Sequence, residues 1–234
     1  MQNRRPVLLL TRSAGQSDRM AALARAEWGD LPVVIAPVLR IVGLPFADDL
    51  PAGAELIFTS ENAVAVVAGA MALAGRRAWC VGARTAAVAR ETGADVIEAG
   101  GTAQSLIAMI KAARPDAPLV YLRGAIISRD IEHDLNQLGI ATTSRIVYAQ
   151  EPCDPGPQAA ALFAGERPVI VPLFSVLSAR RLGEYAASAR APLHLVAIND
   201  PVAQAWTGAA PASTHIADDF TTEAMLAAIR LLLQ

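Results

Sequence analysis

Short apolar runs that alternate with helical stretches recur along this chain, and this alternation constrains the fold more than any other feature. The runs 7–10, 119–122 and 169–171 are apolar at every position, so both faces of each predicted strand are buried. Strands of this kind, separated by helices, are typical of a parallel sheet that is covered by helices. The alternation therefore predicts an α/β fold with doubly wound parallel sheets.

An internal repeat divides this pattern into two similar halves. Four stretches resemble later stretches in the same order, about half the chain further on. The matched stretches are 8–13 with 119–124, 56–60 with 171–175, 85–89 with 201–205, and 102–106 with 221–225. Because the repeat runs through the whole chain, we predict two α/β domains that are built alike.

Two segments rich in glycine and proline, 40–55 and 151–157, interrupt the pattern. The piece before the first break has two predicted strands, too few for a stable sheet, so we expect it to join the piece after the second break. We predict a discontinuous domain over 1–40 and 150–234 and an inserted domain over 41–149. Segment 40–55 is interpreted as a crossing between them, and the next strand begins at Leu56. The two crossings would leave a cleft between the domains.

Charge and hydropathy exclude several classes of protein. The net charge is −2 and the arginines are scattered, whereas a nucleic-acid binder needs a basic stripe. The longest apolar run, 63–75, is shorter than the ~20 residues that a membrane span requires, so it predicts a buried helix over 63–73. Cys80 and Cys153 are expected to be reduced thiols. We therefore expect a cytoplasmic monomer that binds neither nucleic acid nor membrane.

Metal and nucleotide sites have recognisable patterns, and this chain does not carry them. The 3 histidines lie far apart in the sequence, without the spacing of a metal site. Neither Gly-x-Gly-x-x-Gly nor Gly-x-Ser-x-Gly follows any predicted strand. We expect no metal and no cofactor.

The stretch 79–93 predicts a buried strand, a turn at Gly82, and a helix that Thr85 opens or caps. A helix that begins at the carboxyl end of a strand offers free backbone N–H groups to an anion. The alternative is an ordinary connection between a strand and a helix.

Neutral donors also stand at the ends of other predicted strands. The candidate residues are Thr11, Thr59, Ser60, Asn62, Thr85, Ser175 and Ser178, together with Arg12, Arg123 and Gly124 after the two matched strands. Such a lining suits a ligand that carries carboxylates or phosphates. The alternative role for each hydroxyl is to cap a helix, and Ser60 is a predicted cap.

Four passages resemble the uroporphyrinogen-III synthase family. They are Phe58-Thr59-Ser60-Glu61-Asn62-Ala63-Val64, Val81-Gly82-Ala83-Arg84-Thr85-Ala86, Val147-Tyr148, and Phe220-Thr221-Thr222-Glu223-Ala224-Met225, and Leu10-Thr11-Arg12 also fits. The resemblance implies two α/β domains joined by a two-stranded connection. It also implies an enzyme without metal or cofactor that dehydrates hydroxymethylbilane, a linear tetrapyrrole with many carboxylates, and closes it with its last ring inverted.

The resemblance also implies roles for single residues. Tyr148 matches the tyrosine proposed to assist departure of the substrate hydroxyl, and Ser60, Gly82 and Thr85 match substrate-binding positions. The second half departs from the family pattern, since Asn199-Asp200-Pro201 stands where the family has a Gly-x-x-Thr-Ala turn. Two alternatives stay open at this point, a non-catalytic two-lobed module for a small polyanion and a degenerate synthase.

Overall fold

The computed structural model describes residues 5–46 and 49–233, and the predicted α/β class is confirmed. The strands are β1 (Val7–Leu10), β2 (Val33–Ile35), β3 (Leu39–Gly43), β4 (Glu55–Phe58), β5 (Arg77–Cys80), β6 (Asp95–Glu98), β7 (Leu119–Gly124), β8 (Thr142–Pro152), β9 (Val169–Leu173), β10 (Leu193–Ala197) and β11 (Ser213–Ile216). The helices are α1 (Ala14–Trp28), α2 (Glu61–Ala70), α3 (Ala83–Glu91), α4 (Ala103–Ala113), α5 (Ile131–Gln137), α6 (Gly156–Ala164), α7 (Val176–Tyr185), α8 (Asp200–Gln204) and α9 (Thr222–Arg230).

The chain divides into two compact units. The first comprises the residues up to Arg40 and those from Glu151 onwards, and the second is Ile41–Gln150. The chain leaves the first unit within β3 and returns within β8, and these two strands are neighbours in one sheet. The predicted domain ranges include residues 1–4, 47–48 and 234, which lie outside the described residues. The predicted cleft between the domains stays a prediction.

The first unit contains a sheet with the strand order β11-β10-β9-β1-β2, and its strands pair in parallel. Leu8 and Leu10 of β1 pack on one face against α1 and α9, through residues such as Met20 and Ile229. Leu9 packs on the other face, in the cluster that includes residues of α6, α7 and α8. Both faces of β1 are therefore buried, as its continuous apolar run predicts.

The second unit contains a sheet with the order β3-β8-β7-β4-β5-β6, and its strands from β8 to β6 pair in parallel. Leu56 and Phe58 pack on one face with residues of α2 and α3. Ile57 and Tyr121 pack on the other face with residues of α4 and α5. This sheet is also covered by helices on both faces.

The strand orders confirm the internal repeat. Read from β2, the first sheet runs β2-β1-β9-β10-β11, and read from β8 the second runs β8-β7-β4-β5-β6. The matched runs 8–13 and 119–124 thus begin in β1 and β7, which occupy equivalent places. The matched residues Thr102 and Thr221 are both N-caps, and each accepts a bond from the backbone N–H three residues on, at 3.0 and 3.1 Å. In each sheet the connections reverse direction between two central strands. These are β1 and β9 in the first sheet, and β7 and β4 in the second.

Two boundaries differ from the sequence predictions. Segment 40–55 contains most of β3, which lies beside β8 in the sheet, and just after β3 the Leu44 N–H donates to the Val147 carbonyl of β8 at 2.8 Å. The helix predicted over 63–73 ends at Ala70, because Met71 is extended (φ −148°) and the chain then turns Leu73 into the core, where it is 2% exposed. Burial of Met71 and Leu73 outweighs the helical preference of this alanine-rich run.

Candidate active site

A pocket of about 340 Å³ lies at the carboxyl edge of the six-stranded sheet, where β4 and β7 end side by side. Connections from these two strands leave in opposite directions, and ligands of open α/β sheets bind at such points. Its lining residues are Thr59, Ser60, Val81, Gly101, Ala103, Tyr121, Gly124, Ile126, Ile127, Ser128, Arg129, Ile131 and Tyr148. All of them belong to the second unit.

Tyr148 is held against Gly124 by the pairing of β7 and β8. Arg123 pairs with Ile146 whereas Gly124 pairs with Tyr148, so Val147 is an extra residue in β8 and the ladder is bulged there. A bulge of this kind re-aims the side chain that follows it. A Cβ atom on Gly124 would lie 2.7 Å from Cζ and 2.9 Å from the hydroxyl oxygen of Tyr148. The Ala125 N–H donates to the Tyr148 carbonyl at 2.9 Å, which fixes the backbone as well.

A second tyrosine hydroxyl lines the same pocket. The hydroxyl oxygen of Tyr121 lies 2.9 Å from Thr59 Oγ1, and the Tyr121 side chain is almost fully buried. Burial raises the pKa of Tyr121, and the hydrogen bond with Thr59 opposes this effect. Tyr121 was missed by the sequence analysis because it stands inside an apolar strand. The repeat could have identified it, because Tyr121 carries a hydroxyl where the matched residue of β1, Leu10, is apolar.

Ser60 is the N-cap of α2, as predicted, and its Oγ accepts from the Asn62 N–H at 3.2 Å. The Ser60 hydroxyl still has its own proton to donate. Asn62 stands in the first turn of α2 outside the pocket lining, and the neighbouring Glu61 is paired with Arg84 at 2.8 Å.

One expectation for the stretch 79–93 was wrong, and the predicted turn at Gly82 has a different physical reason. Thr85 does not cap the helix, because α3 begins after Gly82 and Thr85 is its third residue, 6% exposed. Gly82 is extended (φ −163°), so the turn does not require glycine for its dihedral angles. A Cβ at Gly82 would lie 3.1 Å from the Cα of Gly101, so close approach of two backbones is the physical reason for a glycine. Neither Gly82 nor Thr85 lines the pocket.

The loop after β7 supplies pocket residues that the sequence analysis missed. Ser128 and Arg129 line the pocket, and Arg129 Nε is 2.6 Å from a carboxylate oxygen of Asp134. Ile126 is exposed at the same place. The predicted residue Arg123 donates to the carbonyl of Gly124 at 3.1 Å and is absent from the lining. The sequence could have indicated this loop, because it follows β7, one of the two strands between which the connections reverse direction.

The candidates of the first unit lie at the equivalent reversal point, after β1 and β9. The Arg12 guanidinium stacks over the Phe174 ring at 4.2 Å, and Thr11 is buried. Ser175 caps α7 by accepting from the Ser178 N–H at 3.1 Å, and the two hydroxyl oxygens are 2.8 Å apart. Capping is therefore an observed role of Ser175.

The sequence departs from the family pattern at Asn199, but the backbone there has the same conformation as at the start of α3 in the second unit. Asn199 precedes α8 with φ −164° and ψ 170°, and Gly82 precedes α3 with φ −163° and ψ 176°. Asn199 caps α8 with its side chain, accepting from the Val202 N–H at 3.0 Å, whereas no side chain caps α3. The two helix starts thus share a shape but differ in the acceptor they offer.

The described residues give no sign of a metal site or of a membrane segment. Across 5–46 and 49–233, no cluster of three or more His, Cys, Asp or Glu side chains has a geometry that would hold a metal ion. No described helix is both long and apolar enough to cross a bilayer. Cys80 and Cys153 are free, and burial raises the pKa of Cys80 to about 12.

Two repeated doubly wound units, one with a pocket of hydroxyl groups and an arginine, define a two-domain α/β protein with a site suited to an acidic ligand. The sequence model of the family described as uroporphyrinogen-III synthase HemD matches residues 18–227. The chain belongs to this family, and it is therefore an enzyme, a lyase of tetrapyrrole biosynthesis.

Solved structures share its fold. The crystal structure of uroporphyrinogen-III synthetase from Helicobacter pylori 26695 superposes with a TM-score of 0.66 at 17% identity, over 98% of this chain and 100% of that chain. A mutant uroporphyrinogen III synthase from the extremely thermophilic bacterium Thermus thermophilus gives a TM-score of 0.51 at 16% identity, over 97% of this chain and 99% of that chain. A search among curated proteins found no match.

Proposed function

We propose that this chain converts hydroxymethylbilane into uroporphyrinogen III, with loss of water and inversion of ring D. The observation that carries this proposal is the family match over residues 18–227, which spans nearly the whole chain and both units. The pocket of the second unit supports it, because its hydroxyl groups can donate hydrogen bonds to a substrate with many carboxylates.

Tyr148 is the proposed proton donor. Its phenol gives a proton to the substrate hydroxyl as the carbon–oxygen bond breaks, so that water leaves and a delocalised cation remains. A carbon–carbon bond then forms at the substituted position of ring D and gives a spiro intermediate. This intermediate opens and closes again with ring D inverted. The proton lost when the last ring regains aromaticity returns to the phenolate.

The remaining candidates are proposed to hold the substrate folded for inversion. In the second unit these are Thr59, Ser60, Asn62, Gly82, Thr85, Arg123 and Gly124, and in the first unit Thr11, Arg12, Ser175 and Ser178. Hydroxymethylbilane closes unaided to the wrong isomer, so catalysis depends on a bound conformation that brings the correct carbons together. We further propose that the enzyme works as a monomer in the cytoplasm, without a cofactor and without nucleic acid.

The product isomer tests the proposal. Freshly prepared hydroxymethylbilane is incubated with the protein, the products are oxidised, and the type I and type III isomers are resolved chromatographically. We expect the type III isomer to dominate and to form faster than the type I isomer does without protein. Only the type I isomer, at the spontaneous rate, would exclude synthase activity. Substrate binding without type III product would favour the non-catalytic module or the degenerate synthase.

A further inference from the structure

We propose that Tyr121 is a positioning residue, which orients the Thr59 hydroxyl and strengthens it as a hydrogen-bond donor toward a substrate carboxylate. This inference rests on the proposed function and adds to it a residue outside the family motifs quoted above. It stands on the contact between the two hydroxyls, their different burial, and the counterpart of Tyr121 in the repeat.

Packing fixes the Tyr121 ring and leaves its hydroxyl at the pocket. The ring lies in the core cluster with Ile57, Trp79 and Leu106, on the face covered by α4 and α5. Tyr121 pairs with Ile57 across β7 and β4, so Thr59, two residues further on, stands just beyond the paired strand end. The oxygen atoms of Tyr121 and Thr59 are 2.9 Å apart, and both residues line the pocket.

Either hydroxyl of the pair could donate, and the relative acidity of the two groups favours Tyr121 as the donor. A phenol is the more acidic hydroxyl and thus the stronger donor, whereas the oxygen of an alkyl alcohol is the stronger acceptor. With Tyr121 as the donor to Thr59 Oγ1, Thr59 keeps its own proton for a further partner. Burial raises the pKa of Tyr121, which keeps the phenol protonated for this role. Accepting one bond polarises Thr59, and its own donation becomes stronger in a low-dielectric site.

The fold does not require a hydroxyl at position 121. The repeat aligns Tyr121 with Leu10, which is 2% exposed in the equivalent strand β1, so an apolar side chain fills the equivalent place. Both residues line the pocket, and Thr59 is half-buried whereas Tyr121 is almost fully buried, so Thr59 is the more accessible member of the pair. Carboxylates only accept hydrogen bonds, so a polarised hydroxyl donor matches them.

A double-mutant cycle on the full chain tests this proposal. We expect Thr59→Val to raise KM about tenfold or more, because a bond to a charged group is lost. We expect Tyr121→Phe to raise KM about threefold to tenfold, because Thr59 stays in place but is less polarised. The double variant should match Thr59→Val within about twofold, because Tyr121 acts only through Thr59. Thr59→Ser keeps the hydroxyl and should retain KM within about threefold.

Tyr185→Phe in the first unit is the matched control and should leave KM and kcat unchanged. Multiplying effects in the double variant, or an unchanged KM in Tyr121→Phe, would overturn the proposal. The dissociation constant of uroporphyrin III, the oxidised product, is measured for the wild type and the same variants. These constants give a second double-mutant cycle that does not depend on turnover. An inactive wild type would therefore count against the proposed function and leave this cycle readable.

A spectroscopic readout covers the case in which Tyr121→Phe fails to fold. Tyrosine labelled with ¹³C at Cζ reports the hydrogen bond of each phenol by NMR. Addition of uroporphyrin III should shift the Tyr121 signal in the wild type and leave it in place in Thr59→Val. A Tyr121 signal that does not respond in the wild type would contradict the positioning role.

Discussion

Gly124→Ala is expected to slow the enzyme by displacing Tyr148. The new methyl carbon would lie 2.7, 2.9 and 3.0 Å from three atoms of the Tyr148 ring and hydroxyl, whereas ordinary contacts begin at 3.4 Å. The ring must therefore move by about 0.7 Å or more to clear the closest contact. Tyr148 is 8% exposed and belongs to the core cluster with Val147 and Leu122, so it cannot move without disturbing its neighbours.

A misplacement of about 1 Å at a catalytic group costs on the order of a hundredfold in rate, so kcat should fall about tenfold to a hundredfold. Overpacking should also lower the free energy of unfolding by about 1–3 kcal/mol. The assay is the initial rate of type III isomer formation, with denaturant unfolding measured on the same preparation.

Gly69→Ala is the matched control. Gly69 lies in α2, nothing lies within 4 Å of its added methyl group, and this variant should keep wild-type kcat. Tyr148→Phe in the Gly124→Ala background should cause little further loss, because the hydroxyl is already displaced. A folded Gly124→Ala variant with wild-type kcat would refute the reasoning, since the ring would then not depend on the glycine.

Three further variants test the site and the core. Tyr148→Phe should lower kcat about tenfold to a thousandfold while the protein stays folded, and an unchanged rate of isomer formation would remove Tyr148 from the mechanism. Ser60→Ala should cost about 1 kcal/mol of unfolding free energy through the lost cap of α2 and also raise KM; lost stability with wild-type KM would leave Ser60 a cap alone. The pKa of Cys80 is raised to about 12 by burial, so the unfolded chain loses this proton first and stability should fall as the pH rises from 9 towards 12. Denaturant titrations across that range should show a flatter decline for Cys80→Ala, and identical slopes would contradict the assignment.

The fold could be predicted where a single physical effect dominates the local sequence. Leu8, Leu9 and Leu10 have no polar face to expose, so they predict a central strand, and the structure buries all three. The extent of β3 could not be predicted, because its pairing with β8 joins segments more than a hundred residues apart in sequence. The end of α2 depends on the burial of Met71, which is likewise a tertiary effect.

The site could be predicted only in part, for a similar reason. Thr59 and Ser60 follow a strand directly, and their place at the carboxyl edge is a local consequence of the sheet. The sequence around Tyr121 predicts only a buried strand residue. Its contact with Thr59 follows from the register of β7 with β4. Contact between Tyr148 and Gly124 depends on a bulge, for which the neighbouring residues carry no local signal. Thr85 was misplaced because hydroxyl caps are common, whereas here a glycine precedes the helix.

The strand order has a consequence for synthesis of the chain on the ribosome. All strands of the second unit that surround the pocket lie between residues 55 and 152, so this sheet can be completed from one continuous piece of nascent chain. In the first unit β1 pairs with β9 through Val7 and Val169, so β1 waits for a strand that is made about 160 residues later. Until then β1 has β2 as its one neighbour in the sheet, and an edge of apolar residues stays open to other chains. Among the described strands, β1 thus needs protection from other chains until β9 has been made.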